Sequence, residues 1–352
     1  QLPSSATGPA SAVMEDKQNA SGCAGWVKTL QDRPRDQPFF LWLAALDPHR
    51  DYSPGVLNEP HSPDRVIVPP YLPDTQPVRR DLAQYYDEIT RLDSFVGQVL
   101  DELQTQGLSE NTIVIFMTDN GRPFPRCKTT LYDSGIRTPL LVRWPKKIAA
   151  GGTTQALVSS IDIGVTLLEL AGISPHASMQ GESFAKVLTT PTTEHRSFVF
   201  AEHNWHDYDA CERAVRSQRY KYVRNLDPTL PLTPPADAVR SPTFVEMRRL
   251  RDLQQLAKPQ SQCFLAPRPS EELYDLQQDP HELHNLLSPT AAPLTAELSH
   301  VLEAHRAAFQ QWQSATDDLH PVRAPDEFDR ETGTPLPKRK RPRPSKADLR
   351  GQ

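Results

Sequence analysis

The 352-residue sequence predicts a layered α/β fold followed by a smaller carboxyl-terminal α+β subdomain. Three observations predict it. Leu82, Tyr85, Ile89, Leu92, Val96, Val99 and Leu103 recur at spacings of three and four across residues 77–107, giving an amphipathic helix with one apolar stripe. That helix leads into residues 112–118, a β-branched and apolar run bounded by turn signals, as in a strand buried on both faces. A helix feeding a parallel strand implies a layered α/β sandwich. From about residue 197 the pattern shortens to strand-length segments, which suit a small antiparallel sheet.

Composition sets outer limits. Hydrophobic residues at 37% and charged residues at 24% describe a soluble globular protein. The net charge of −5 gives no basic field for nucleic acid. No apolar run approaches the roughly 18 residues that a membrane span requires. The chain begins at Gln1 rather than Met and reads as a processed or partial chain, so the lack of a leader says little. Cys23, Cys127, Cys211 and Cys263 form no C-x-x-C pair, which argues against zinc and leaves bridging open.

In chain order, residues 1–25 are rich in Ser, Ala, Pro and Gly and read as an irregular segment, with a formal glycosylation sequon at Asn19. Residues 39–46 (F-F-L-W-L-A-A-L) read as a second buried strand, running into Asp47-Pro48-His49-Arg50. A histidine there is either a plain loop residue or a proton donor and anion ligand. Residues 51–77 are irregular and proline-rich. The helix over 77–107 has Pro77 near its start and Gly107 at its end, the usual asymmetry, and reads as scaffold without chemistry.

The strand over 112–118 ends in Asp119-Asn120-Gly121. In open α/β sheets ligands bind at the carboxyl ends of strands. Two hard oxygen donors suit Ca²⁺ or Mg²⁺, and Lys128 returns a cation nine positions later, together a site for sulfate or phosphate. The same residues also make an ordinary Asn-Gly turn and a solvated lysine. Residues 140–144 read as a strand and 163–172 as a helix; 198–201, 214–217 and 220–224 read as strands, and 241–256 and 292–313 as helices. The stretch from Ala201 to Tyr208, with Arg213, reads as an aromatic, histidine and carboxylate loop that suits a sugar, or as a polar connection. The segment from His320 ends in K-R-K-R-P-R-P-S-K and reads as a disordered basic tail, attractive to an anionic polysaccharide or merely solvated.

D-N-G, a basic residue and T-L-Y-x-x-G occur here as Asp119 to Gly121, Lys128 and Thr130 to Gly135, with N-G-x-P-F-P at Asn120 to Pro125. This pattern resembles the sulfatase family, and within it the heparan N-sulfatases. D-P-H after a strand, V-P-P-Y-L-P-D-T from Val68, R-A-V at Arg213 to Val215, and E-L-Y-D-L with D-P-H-E-L-H-N-L from Glu272 to Leu286 are similar to further segments of that family. The Asp279-Pro280 turn reads as structural.

The resemblance implies an alkaline-phosphatase-like α/β/α sandwich. It divides the chain into an irregular segment (1–25), the later part of the sulfatase α/β domain (26–195), an antiparallel-sheet and helix subdomain (196–319) and the tail (320–352). It implies Asp119 and Asn120 as metal ligands, Ca²⁺ ahead of Mg²⁺, with Lys128 as the sulfate cation and His49 as the sulfate ligand or proton donor. His203, His206 and Arg213 are the candidates for sugar contact. The implied substrate is a sulfated sugar, N-sulfoglucosamine of heparan-type glycans first and sulfate esters next. The implied compartment is periplasmic or secreted, lysosomal in an animal, and oligomeric state is unreadable.

Two family features are missing from these residues. No cysteine or serine stands in the C-x-P/A-x-R motif that becomes formylglycine, and the paired aspartates of the family's first strand are absent. The polypeptide by itself is therefore expected not to turn over substrate, being part of a longer protein or a degenerate member. The alternatives are a truncated pseudo-sulfatase that binds sulfated glycan, and a phosphoesterase of the wider superfamily, which would need a second metal cluster.

Overall fold

A computed structural model describes residues 21–318 and 324–337. The Asn19 sequon, nearly all of the irregular 1–25 segment and the most basic part of the tail lie outside the described residues. The chain divides into two compact units, residues 21–62 with 83–109, and residues 63–82 with 110–337. This division differs from a single boundary near residue 195.

The first unit holds α1 (Trp26–Asp32) and residues 83–105 of the long helix α2 (Gln76–Thr105). Leu30 of α1 is fully buried, and α1 is tied to the end of α2 by Gln31 Nε2 donating to Glu102 (2.9 Å) and Arg33 donating to Gln106 Oε1 (2.5 Å). The expected helix is present, and Gly107 closes it as foreseen. With φ +68°, Gly107 donates to Gln104 O (2.9 Å) while Leu108 donates to Leu103 O (2.8 Å), the paired bonds of a Schellman cap.

Residues 39–46 differ from the expected buried strand. They form no strand, and Phe40, Trp42 and Leu46 are 71%, 80% and 62% exposed. An apolar run reports extended backbone but not whether ladders flank it. Among the described residues no strand pairs with this run; Leu46 N–H donates to Ser21 O (2.8 Å), Leu46 O accepts from His49 N–H (2.8 Å), and the Arg33 guanidinium lies 4.8 Å from the Phe39 ring centre.

In the second unit, β1 (Val114–Met117) occupies the predicted strand and is half-buried rather than buried on both faces. The short helix α3 (Asp133–Ile136) follows, then β2 (Leu140–Arg143), which pairs with β1 antiparallel, Val114 opposite Arg143. The expected parallel partner is therefore replaced by an antiparallel one on one side only. Helices α4 (Ile161–Leu170) and α5 (Ala185–Thr189) come next. Asp162 is fully buried at the start of α4, where Arg196 grips it bidentately at 2.9 and 2.6 Å.

The antiparallel sheet expected after residue 197 is present, with four strands in the order β3 (Val199–Trp205), β4 (Asp209–Arg216), β5 (Tyr220–Asn225), β6 (Glu271–Asp275). Between β5 and β6 lie α6 (Ala236–Val239) and α7 (Pro242–Asp252), the latter capped by Ser241 accepting from Phe244 N–H (3.2 Å). Helix α8 (Ala296–Thr316) follows β6, capped by Thr295. Side chains alternate across the sheet, as the strand period of two requires. Val215, Tyr222 and Leu273 pack with Leu302 and Phe309 of α8, while Ala214 and Val223 on the other face meet Leu131. The sheet is thus clamped between α8 and the loop that follows Asp119-Asn120-Gly121.

Two sequence expectations are corrected here. Ala201 to Trp205 belong to β3 rather than to a loop, because an edge strand with one solvated face carries polar residues. Residues 324–337, assigned by composition to the disordered tail, are ordered by side-chain bonds to the sheet, described below.

Candidate functional site

Asp119-Asn120-Gly121 leaves the carboxyl end of β1 as a tight turn, with Asn120 N–H donating to Asp119 Oδ1 (2.8 Å) and Asn120 Nδ2 donating to Gly121 O (2.7 Å). Gly121 is required by close approach: its N–H donates to Gly135 O (2.8 Å), and a Cβ there would lie 1.9 Å from Ser134 O. Gly135 is equally crowded, at 2.3 Å from Thr130 O. The two glycines of D-N-G and T-L-Y-x-x-G are therefore one contact between two backbone segments.

The turn offers a carboxylate and an amide oxygen, the hard donors that Ca²⁺ takes. Two donors are few against the six to eight that Ca²⁺ binds. Among the described residues no three His, Cys, Asp or Glu gather to hold a metal. The chemistry fits a hard cation in kind and falls short in number.

Lys128 is buried in the loop between these glycines. Its neighbours hold unusual backbone: Arg126 and Thr129 both have φ +65°, which for a β-branched threonine is a true outlier. Arg126 is the anchor. It is 1% exposed and donates to Gln262 Oε1 (2.5 Å), to His281 O (2.9 Å) and to Glu282 O, while its guanidinium lies 3.9 Å from the Tyr132 ring centre. Its own carbonyl accepts from Ser134 Oγ (2.5 Å).

The E-L-Y-D and D-P-H-E segments brace the same loop. Glu282 accepts from Asp133 N–H (2.6 Å) and pairs with Lys221 (2.8 Å), which also meets Asp133 (2.5 Å). Glu272 accepts from Tyr132 Oη (2.8 Å), Tyr274 Oη (2.7 Å) and Asn225 Nδ2 (2.7 Å). Asp279 accepts from His284 N–H (2.8 Å), a turn role as expected.

The β3–β4 hairpin supplies the histidines. His203 Nδ1 lies 3.1 Å from Glu212, whose other oxygen accepts from Arg268 (3.0 Å). His206 Nδ1 lies 3.1 Å from Asp207, which accepts from Ala236 N–H (2.7 Å) and feels the charge of Lys128. Burial opposes the Asp207 charge, but His206, the Ala236 amide and Lys128 together hold its carboxyl below the usual range. His203, His206 and Asp207 line one cleft with Thr129, Arg268 and Arg330. The residue next to Lys128 thus shares a cleft with two of the three sugar candidates.

Arg213 is not among its lining residues. It is 1% exposed and held bidentately by Asp318 (2.7 and 2.8 Å), so it is a sheet brace and its assignment to sugar contact is corrected. Sequence reasoning missed Glu212, Arg268 and Arg330, which converge only through the fold.

His49 stands in the first unit. Its N–H donates to Leu46 O (2.8 Å) and its Nδ1 lies 2.5 Å from Arg50 O. The preceding Asp47 grips Arg91 of α2 at 2.7 and 2.5 Å. A cavity there is lined by His49, Arg50, Asp51, Ser53, Glu88 and Arg91. Burial pushes the Glu88 carboxyl up. The helix expected to be bare scaffold therefore lines the cavity that His49 lines.

All four cysteines are buried and reduced. Burial pushes the Cys23 thiol to about 11 and the Cys263 thiol to about 12, so neither is a ready thiolate.

The acid limit follows from two carboxyls. Burial opposes both charges, yet Lys221 and Arg216 hold Asp133 at about 2, and Arg268 and His203 hold Glu212 at about 2. Both lie below their ordinary values of 3.8 and 4.5, so the unfolded chain takes up protons first as pH falls. Their stabilisation, roughly 2–3 kcal/mol each, is complete above about pH 5 and lost toward pH 2. Urea midpoints are expected to drop steadily between pH 5 and 3; a flat profile would remove this account.

The glycine-locked D-N-G turn and the buried Lys128 both lie in a stretch that a known protein family matches. The chain belongs to the sulfatase family: the Sulfatase profile matches residues 12–173, and that of N-sulphoglucosamine sulphohydrolase, C-terminal, matches residues 126–229. It is 38% identical over 253 residues to an ulvan-active sulfatase of Formosa agariphila, covering 71% of this chain and 41% of that protein. It is 32% identical over 325 residues to N-sulphoglucosamine sulphohydrolase of Homo sapiens, covering 83% of this chain and 63% of that one. The chain therefore spans about two fifths to three fifths of the length of these relatives.

Among solved structures it is similar to a Bacteroides thetaiotaomicron sulfatase from a locus for metabolism of multiple glycosaminoglycans, with TM-score 0.57, 21% identity and coverage of 80% of this chain and 55% of that one. A structure in complex with its substrate D-glucosamine-2-N,6-O-disulfate matches with TM-score 0.52 and 19% identity, covering 71% of this chain and 44% of that one. These likenesses establish the alkaline-phosphatase-like α/β fold. Among the described residues no helix is long and apolar enough to cross a membrane.

Proposed function

We propose that this chain is the sulfate- and sugar-binding part of a hydrolase acting on sulfated sugars, with N-sulfoglucosamine favoured and sulfate esters next. The observation that carries the proposal is a histidine-lined cleft reached by Thr129, the residue next to the buried Lys128, inside the segment that the N-sulphoglucosamine sulphohydrolase profile matches. Lys128 neutralises one edge of the sulfate. His206 and Asp207 take sugar hydroxyls. Asp119 and Asn120 would supply two oxygens to Ca²⁺, whose charge would offset that of the sulfate oxygens. A periplasmic or secreted setting, lysosomal in an animal, suits such a substrate.

No residue of this chain fits the nucleophile's role, since every cysteine is buried and none stands in the C-x-P/A-x-R motif. Binding without turnover is the second reading. Calorimetry and a sulfate-release assay test both. The chain is expected to bind N-sulfoglucosamine and release no sulfate, and Lys128→Ala is expected to weaken binding at least tenfold, roughly the 1.5–3 kcal/mol of a hydrogen bond to a charged group. Failure to bind would sink the sugar reading; sulfate release would sink the inactivity of this chain. An in-frame C-x-P/A-x-R segment upstream of the Gln1 codon would make this chain part of an active enzyme.

A further inference from the structure

The turn that carries His206 and Asp207 is held from outside the sheet. Residues 324–337 form a strap, with Phe328 bridging to Pro335 and Asp329 N–H donating to Thr334 O (2.8 Å). The strap meets the hairpin turn residue by residue. Trp205 Nε1–H donates to Pro325 O (3.2 Å), Glu327 N–H to Asp207 O (2.9 Å), Tyr208 Oη to Asp329 O (3.2 Å), and Asp209 N–H to Asp326 Oδ1 (2.8 Å). Arg330 is the clasp. It grips Asp326 at 2.8 and 2.9 Å, donates to Asp209 O (2.7 Å) and reaches Thr233 Oγ1 (3.1 Å). The His206 side chain, in the middle of this turn, is 44% exposed and makes no bond to the strap among the described residues.

We infer that the strap is a specificity element of the sugar cleft and that Arg330 is its positioning residue. The inference rests on the sulfated-sugar reading and goes beyond it by assigning sugar selectivity to a remote segment. A two-stranded turn at a sheet edge has few contacts of its own and samples several conformations. The strap's bonds remove that freedom, so His206 and Asp207 meet a ring in one arrangement. Sulfate itself is held by Lys128, whose loop is anchored separately by Arg126. Selectivity for the sugar and affinity for the anion are therefore separable.

The test is calorimetry on the full chain with two probes, N-sulfoglucosamine and inorganic sulfate. Asp326→Ala, outside the cleft lining, removes the acceptor of Asp209 N–H and of Arg330, and is expected to weaken N-sulfoglucosamine binding about tenfold and change sulfate binding less than twofold. Trp205→Phe with Tyr208→Phe removes two strap bonds while leaving Arg330 in place, and is expected to lower the same ratio about threefold. It decides the matter if Asp326→Ala fails to fold by circular dichroism. An unchanged ratio in the folded variants, or an equal loss for both probes, overturns the inference and leaves the sugar reading standing. A wild-type chain that binds sulfate as well as N-sulfoglucosamine overturns both.

Discussion

Arg126→Met is expected to destabilise the second unit by roughly 3–5 kcal/mol, the largest effect of any single substitution considered. The side chain satisfies two carbonyls and one amide oxygen in a site almost closed to water, and its plane stacks on Tyr132. Methionine fills much of the volume and leaves those acceptors without donors, each at about 1–3 kcal/mol. Arg126→Lys is expected to recover less than half of the loss, because an ammonium lacks the planar fork and the stacking face. Urea unfolding with linear extrapolation measures both. A methionine variant within 1 kcal/mol of the parent would show that the anchor is dispensable.

Gly121→Ala is expected to cost about 3 kcal/mol and to abolish measurable N-sulfoglucosamine binding. The added methyl would stand 1.9 Å from Ser134 O and 2.9 Å from Gly135 Cα. Those atoms belong to backbone that is itself bonded back to Gly121, so relief requires the two segments to part. Parting them carries Asp119 and Asn120 away from the Lys128 loop. Alanine at Gly97, where nothing lies within 4 Å of a Cβ, is the matched control and is expected to change neither quantity. Binding retained by Gly121→Ala would show that the two segments move independently.

The sequence was most readable where the signal is local. The helix over Leu82 to Leu103 follows from spacing alone, and its Gly107 cap from the need for positive φ. Asp119, Asn120 and Lys128 stood out as candidates because oxygen donors and a cation cluster within ten positions after a strand. Signals that depend on partners far along the chain were not readable. Nothing near Arg126 announces that its acceptors lie at Gln262, His281 and Glu282. Arg213 looked like a ligand because its partner, Asp318, is over a hundred residues away. The apolar run at 39–46 shows the converse: its composition is that of a core strand, and no strand among the described residues pairs with it.

The two left-handed residues on either side of Lys128 have a thermodynamic consequence. Arg126 and Thr129 each occupy backbone conformations that an isolated peptide rarely visits, at a cost of order 1–3 kcal/mol apiece. Folding meets that cost through the anchor at Gln262, His281 and Glu282. On the proposed reading, a sulfate arriving at Lys128 would find the lysine's backbone already in place and give up no affinity to order it. The loop's rigidity should appear as association with little entropic penalty, and as amides around Lys128 that exchange with solvent as slowly as those of the sheet beneath them.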